Sequence, residues 1–314
     1  MRVGFIGCGR HATTALYPSL RPAGLELVAT CARRFDRAEQ IAKAFGAARA
    51  YDNVTALIAG GDLDAVLVAL PPEAYLEVIL PLLDAGLPVF CEKPGAGSLE
   101  QLERIDAESN AAGVPVMVGY MKRFARAYRV ASDFSRRDDF GRVTSIHCKF
   151  LMGPGFGSLR NYVIDNPVHA LDLMRFLGGE VAEVQARYLR LDDTKHALSL
   201  LLAFESGAVG TAQLGTTGSF FQENELLEVV GEEHSVTVTN VDTVVCRRPR
   251  GPVEVDRPSY TVPLTPNLTG TVMGFVPELA HFKAVVLDGV PCKSDIASAR
   301  KTLALAEQVL SALG

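Results

Sequence analysis

With 314 residues, of which 48% are hydrophobic, the chain is long enough for two domains and a large buried core. A formal net charge of -5 and no long basic run exclude an electrostatic footprint for nucleic acid or for an acidic membrane surface. No apolar run is long enough to span a bilayer, Arg10 interrupts the first one too early for a signal peptide, and six scattered cysteines without a CxxC pair fit a reducing compartment, so a cytoplasmic chain is expected.

The first third alternates short apolar runs with helical patterns. Strands are expected at Arg2–Ile6 and at residues 25–31, 64–70, 88–91 and 114–118, with continuous rather than alternating apolar residues, as in parallel strands covered on both faces. Between the second and third runs, "FDRAEQIAKAFG" predicts a helix capped by Asp36, with Ala38, Ile41, Ala42 and Phe45 on one face and Gly46 as its stop. This is the plan of a doubly wound parallel sheet. From about residue 120 the texture changes. "KRFARAYRVASDF" predicts a helix, and period-two alternation follows, as in Ile146, Cys148 and Phe150 against His147 and Lys149. Further strands are expected at 182–191, 196–204, 208–214, 225–230, 235–238 and 241–246, with helices near 167–177 and 295–313. The fold class read from this pattern is an N-terminal Rossmann-type α/β domain (1–119) followed by an α+β domain (120–314) with a large, mostly antiparallel open sheet.

The loop "GCGRHA" after the first strand has the spacing Gly7-x-Gly9-x-x-Ala12. After a strand and before a helix, this pattern predicts a dinucleotide pyrophosphate held by Gly7, Cys8, Gly9, Arg10 and His11 at the helix start. The second strand ends in Ala32-Arg33-Arg34, where NAD enzymes place an acid on the ribose. Without that acid, and with two guanidinium groups suited to a 2′-phosphate, NADP(H) is favoured, and NAD(H) remains open. The other reading of Arg33 and Arg34 is as solvated residues at a helix start.

The fourth strand ends abruptly in Glu92-Lys93-Pro94. Either this is a surface turn, or the strand opens into a pocket and aims Lys93 there. In "NYVIDNPVHALD", Asn166-Pro167 predicts a helix start, with His169 in the first turn, Asp165 just before and Asp172 three residues on. The positive helix end favours neutral imidazole at His169, a sound general acid–base position, and the other reading is a structural histidine beside the helix cap. Asp172 reads as a structural partner for an arginine or backbone. The glycine-rich "MGPGFGSLRNY" reads as a substrate loop offering Arg160, Asn161 and Tyr162, or as a connection without a ligand role. His147 and His196 read as surface or packing residues, His234 as part of a turn and His281 as core, and no spacing predicts a metal.

Together, Gly7-x-Gly9, "EKP" at 92–94, "VGYMKRF" at 118–124 and Asp165-x-x-x-His169-x-x-Asp172 resemble the Gfo/Idh/MocA family, the glucose-fructose oxidoreductase and inositol dehydrogenase group of NAD(P)-dependent oxidoreductases. The resemblance covers nearly the whole chain. It implies a Rossmann domain and a second domain whose sheet carries homodimer or homotetramer contacts. It also implies catalytic roles for Lys93, Asp165 and His169, a place for Glu92 near the cofactor ribose, and Leu70, Pro71 and Pro72 along the adenosine side. The implied reaction is hydride transfer between nicotinamide and a carbinol or carbonyl carbon of a sugar, cyclitol or related polyol. Two other activities occur among relatives: NAD-dependent glycosidic cleavage and non-catalytic regulation. Tyr75 stands where the family often has histidine, and "RNYVID" and "EKPGAG" depart from its usual residues, which bears on the substrate rather than the cofactor.

Overall fold

The computed structural model describes residues 1–155, 157–219, 224–258 and 268–313. The chain divides into two compact units, Met1–Met121 with Pro263–Lys301 and Lys122–Val262 with Thr302–Gly314.

The first unit runs β1 (Arg2–Ile6), α1 (Tyr17–Leu20), β2 (Glu26–Cys31), α2 (Phe35–Phe45), β3 (Arg49–Tyr51), α3 (Val54–Ala59), β4 (Ala65–Val68), α4 (Tyr75–Asp84), β5 (Val89–Glu92), α5 (Leu99–Ala112) and β6 (Val116–Gly119). The strands form a parallel sheet in the order β3-β2-β1-β4-β5-β6. Every residue of β4, β5 and β6 is buried, which explains their continuous apolar runs. α2 ends as expected on Gly46, which adopts a left-handed φ of 80°. Its start differs. Arg34, extended at φ -98° and ψ 110°, occupies the cap position, and Asp36 lies inside the first turn, where its carboxylate meets the positive helix end.

The second unit contains α6 (Arg126–Ser135), β7 (Ser145–Leu151), α7 (Leu159–Asp165), α8 (Val168–Gly178), β8 (Val181–Arg190), β9 (His196–Phe204), β10 (Val209–Gly215), β11 (Asn224–Val230), β12 (Ser235–Thr239), β13 (Thr243–Arg247) and β14 (Glu254–Asp256). The sheet order is β14-β13-β12-β11-β7-β10-β9-β8, antiparallel except for the β7–β10 pair. One face is packed. β9 buries His196, Leu198, Leu200, Leu202 and Phe204, and β7 buries Ile146, Cys148 and Phe150. α8 lies on β7 so closely that a Cβ on Gly178 would fall 2.3 Å from Ile146 Cδ1. The expected single helix over 122–134 is split. Met121–Phe124 forms a 3₁₀ turn, Ala125 is extended at ψ 135°, and α6 begins at Arg126. The break turns Lys122 and Arg123 inward, onto Glu225 and Asp172 respectively.

The chain then contributes α9 (Leu268–Met273) and α10 (Phe275–Asp288) to the first unit. Phe282 of α10 packs on Phe90 of β5 with ring centroids 5.8 Å apart. Ser294 Oγ donates to Val118 O at 2.6 Å and Met117 bridges Asp295, which fixes this returning segment beside β6. The contact division is therefore discontinuous, whereas a single boundary after residue 119 groups residues 263–301 with the second part. α11 (Ile296–Ala312) begins in the first unit and ends in the second. Among the described residues, no helix is long and apolar enough to cross a membrane.

Candidate active site

The glycine loop leaves β1 beside β4, where the sheet order reverses, the usual crevice for a dinucleotide in a doubly wound sheet. Gly7 has φ 115°, its N–H donates to Cys31 O at 2.9 Å, and a Cβ there would lie 2.1 Å from Ala69 O. No L side chain fits that position. Gly7→Ala is expected to lose about 1–3 kcal/mol from backbone strain alone, with the clash adding to it; the midpoint of urea unfolding measures the loss. Gly9 is different, because a Cβ there would meet nothing within 4 Å. The protein itself leaves this space open, which suits close approach of a phosphate. The loop is steadied by Arg37, whose Nε and Nη2 both donate to Cys8 O at 3.2 Å. A helix of π geometry, Ala12–Leu16, follows, and Thr13 N–H donates to Gly9 O at 3.0 Å.

At the end of β2, Ala32 is half-buried, and Arg33 and Arg34 are exposed with no ion pair among the described residues. Their guanidinium groups are available to an anion, and Asp36 makes no ion pair with them. After β4, Leu70 and Pro72 are half-buried and Pro71 is exposed. Tyr75 is fully buried, and its hydroxyl accepts the Leu70 N–H at 3.4 Å. It therefore supports the strand end from within the core.

β5 carries Glu92, 6% exposed, into the same region. Glu92 Oε1 lies 3.0 Å from His11 Nε2, and Glu92 Oε2 accepts the Lys93 N–H at 3.2 Å. The carboxylate thus links the glycine loop to the strand end. Lys93 is half-buried, and its peptide bond to Pro94 is cis. The hydrogen bond from Glu92 raises the His11 pKa above its ordinary value, against the opposing effect of desolvation. Because the folded value is the higher one, the pair's contribution is full below about pH 6.5 and fades as pH rises through the folded value.

The other residues expected to act lie in the second unit. Asp165 closes α7 and is exposed; His169 sits in the first turn of α8, 7% exposed, with its N–H donating to Asn166 O at 3.0 Å. The helix starts at Val168 with Pro167 as cap, one residue later than Asn166-Pro167 suggests. Asn166 Oδ1 is buried beside this turn without a hydrogen-bond partner among the described residues. Asp172 is 1% exposed and bound by Arg123 through two hydrogen bonds of 2.6 and 2.5 Å and by Thr302 Oγ1 at 2.8 Å. Thr302 in turn accepts from Arg175 Nη1 at 2.6 Å. This buried network fixes α8, so Asp172 is structural.

The expected substrate loop requires correction. Arg160, Asn161 and Tyr162 belong to α7, whose start is capped by Ser158 Oγ accepting the Asn161 N–H at 3.1 Å. Arg160 is exposed but bonded to Glu307 at 2.7 and 2.6 Å, Tyr162 is fully buried, and Asn161 is exposed. His281 is half-buried rather than core, and its Nε2 accepts the Lys293 N–H at 3.1 Å. Among the described residues, no group of three or more His, Cys, Asp or Glu side chains is placed to hold a metal ion. Sequence reasoning missed Arg37, the His11–Glu92 contact and, having expected an arginine or backbone partner for Asp172, the identity of that partner, Arg123. The "KRF" run carried a signal for the last, since two cations inside an apolar segment must find partners.

Residues 1–120 match the family model described as an oxidoreductase family with an NAD-binding Rossmann fold, and residues 128–237 match the GFO/IDH/MocA C-terminal domain. Inositol 2-dehydrogenase 4 of Saccharopolyspora erythraea is 32% identical over 199 residues, covering 60% of this chain and 58% of that one. Myo-inositol 2-dehydrogenase of Thermotoga maritima is 26% identical over 255 residues, covering 77% and 76%. A dehydrogenase from Chromobacterium violaceum has a similar structure, with a TM-score of 0.90 at 25% identity over 100% of this chain and 95% of that one. With both halves of one family matched in order along it, the chain belongs to the GFO/IDH/MocA family of oxidoreductases.

Proposed function

We propose that this protein transfers hydride between a nicotinamide dinucleotide, NADPH by preference, and a carbinol or carbonyl carbon of a sugar, cyclitol or related polyol. The observation that carries this reading is the glycine loop at the β1–β4 switch point, open at Gly9, within the segment matched by an NAD-binding family model. The names of the inositol dehydrogenases among its relatives support the substrate class. Cys8, Gly9, Arg10 and His11 take the pyrophosphate through backbone N–H groups, and Gly7, whose N–H is held by Cys31 O, shapes the turn beneath it. Ala32, Arg33 and Arg34 take the 2′-phosphate, Leu70, Pro71 and Pro72 line the adenosine side, and Glu92 and Lys93 lie on the nicotinamide side.

When bound, the nicotinamide supplies or accepts the hydride. His169 takes the hydroxyl proton in oxidation and returns it in reduction. Lys93 donates a hydrogen bond to the same substrate oxygen and stabilises its developing negative charge. Asp165 holds a neighbouring hydroxyl or orients the imidazole. Of Arg160, Asn161 and Tyr162, Asn161 is exposed and lies outside the Arg160–Glu307 ion pair, which suits it best to reach a substrate. The outer face of the second sheet presents Leu189, Leu201 and Val209, each about half exposed, as a surface for a second copy of the chain.

The test is a panel of sugars, inososes and small ketones with NADPH, followed by loss of nucleotide absorbance. Failure across the panel would remove the dehydrogenase reading in favour of glycosidic cleavage or regulation. Cofactor choice has its own measurement. The R33A/R34A double variant is expected to weaken NADPH binding about tenfold or more, the scale of one or two charge-assisted hydrogen bonds, with NADH little changed. Tighter wild-type binding of NADH than of NADPH would overturn the assignment of the arginines.

A further inference from the structure

Glu278 has no part in the proposed chemistry, yet its position is unusual. Its side chain is fully buried in α10, and neither carboxyl oxygen has a hydrogen-bond partner among the described residues. A buried carboxyl left in this way is tolerated as the neutral acid far better than as the anion. Its surroundings follow from how α10 lies on the sheet. Phe282 packs on Phe90, and Phe275 meets the His11 ring edge-on with centroids 5.7 Å apart. Between those contacts, one helical turn back from Phe282 advances about 6 Å. Two residues forward from Phe90 along β5 advance about 6.6 Å. The two steps match, and they bring Glu278 to the level of Glu92.

We propose that Glu278 and Glu92 share one proton as a carboxylic acid–carboxylate pair, and that His11, hydrogen-bonded to Glu92, is the outlet through which this proton exchanges with solvent. Among the described residues, Glu278 is a buried carboxyl without a hydrogen-bond partner at the level of Glu92. A small rotation lets its O–H donate to Glu92, while Glu92 keeps its bonds to His11 Nε2 and the Lys93 N–H. The proton passes between carboxyl oxygens with no bond made or broken to carbon. His11, whose side chain is 54% exposed, connects the pair to water: in the tautomer with its proton on Nδ1, Nε2 accepts the proton from Glu92 and Nδ1 releases one to solvent. The other titratable groups near Glu92 are Lys93, Cys91 and Tyr75, and burial raises the pKa of both the Cys91 thiol and the Tyr75 hydroxyl, so neither competes for the charge at neutral pH. Burial and the Glu92 charge both push the Glu278 pKa well above the usual carboxylate range, in agreement with a neutral acid. Glu278 is then a positioning residue: it holds the carboxylate that joins the glycine loop to Lys93. That consequence for the cofactor site rests on the functional reading above.

The test is infrared spectroscopy of the full chain without nucleotide, in H2O and D2O, on wild type, E278Q, E278L and H11Q. A protonated-carboxyl C=O band at neutral pH that shifts in D2O and disappears in both Glu278 variants is the expected result. In H11Q the band should persist while its exchange with D2O slows. A missing band, or one unchanged by E278Q, overturns the pair; unchanged exchange in H11Q overturns the outlet. Thermal unfolding supplies a second reading. A raised folded pKa means stability is full below about pH 4.3 and falls as pH climbs toward the folded value. The wild-type midpoint should therefore drop relative to that of E278Q over this range, and parallel curves would overturn the proposal. NADPH fluorescence then separates the two ideas. E278Q, able to donate to Glu92, should retain binding, and E278L should lose several-fold; equal losses would overturn the positioning role. A wild-type chain that shows the band but binds no nucleotide would sink the functional reading and leave the proton-sharing pair standing.

Discussion

Replacing Lys93 with methionine is expected to lower kcat by about 10²- to 10⁴-fold, the range for losing one preorganised donor at a developing oxyanion or one acid–base group. NADPH binding should stay close to wild type. The separation follows from where Lys93 sits. Its backbone N–H is held by Glu92, so the strand end keeps its course whatever the side chain is, and the glycine loop proposed to take the phosphates is built from other residues. Methionine keeps a comparable stem and removes only the charged donor. Because the chain contains no tryptophan, nucleotide fluorescence can be followed with little energy transfer from the protein. Arginine at this position would restore charge but not geometry, since a planar fork cannot replace a compact ammonium, and recovery should be partial at most. Full turnover in the methionine variant would take Lys93 out of the mechanism. A loss of NADPH affinity as large as the loss of kcat would recast it as a cofactor ligand.

The sequence disclosed the parts of this architecture that arise from local pattern. β4, β5 and β6 were legible because a strand buried on both faces must be apolar at every position, and Gly46 was legible because a helix stop needs a residue tolerant of positive φ. β3, three half-buried residues long, carries no such pattern. α7 was hidden by the glycines before it, although Ser158 three residues ahead of Asn161 is a readable cap signal. Glu278 could not be located from its own segment. Charged residues on helices usually face water, and its burial depends on α10 lying against β5, contributed by residues nearly two hundred positions earlier. The residues expected to act came from motif spacing and from the family resemblance, whereas Arg37, Arg123 and Thr302, which brace the glycine loop and α8, are joined through long-range contacts that no local period encodes.

The Arg123–Asp172 pair should give the largest stability effect in the second unit. Both side chains are at most 5% exposed, the guanidinium is bound through two nitrogens, and Thr302 satisfies another carboxylate lone pair. Asp172→Ala leaves a guanidinium buried without its counter-ion and is expected to cost about 3–5 kcal/mol in urea unfolding. Removing both charges is a different perturbation. The double variant R123M/D172L replaces the pair with apolar volume, and its loss should be well below the sum of the two single losses, because neither charge is stranded. Thr302→Val keeps the pair but removes one donor to Asp172 and the acceptor used by Arg175, so its cost should be nearer about 1–3 kcal/mol. Additive losses in the double variant would show that the pair is not coupled. The same experiment bears on function, because Asp172 lies three residues beyond His169 on α8. With α8 freed from its anchor, the proposed nucleotide-binding loop is left intact while the imidazole is held less firmly. At temperatures where D172N remains folded, kcat should therefore fall more than NADPH affinity does, and equal losses in both would place the effect on global folding.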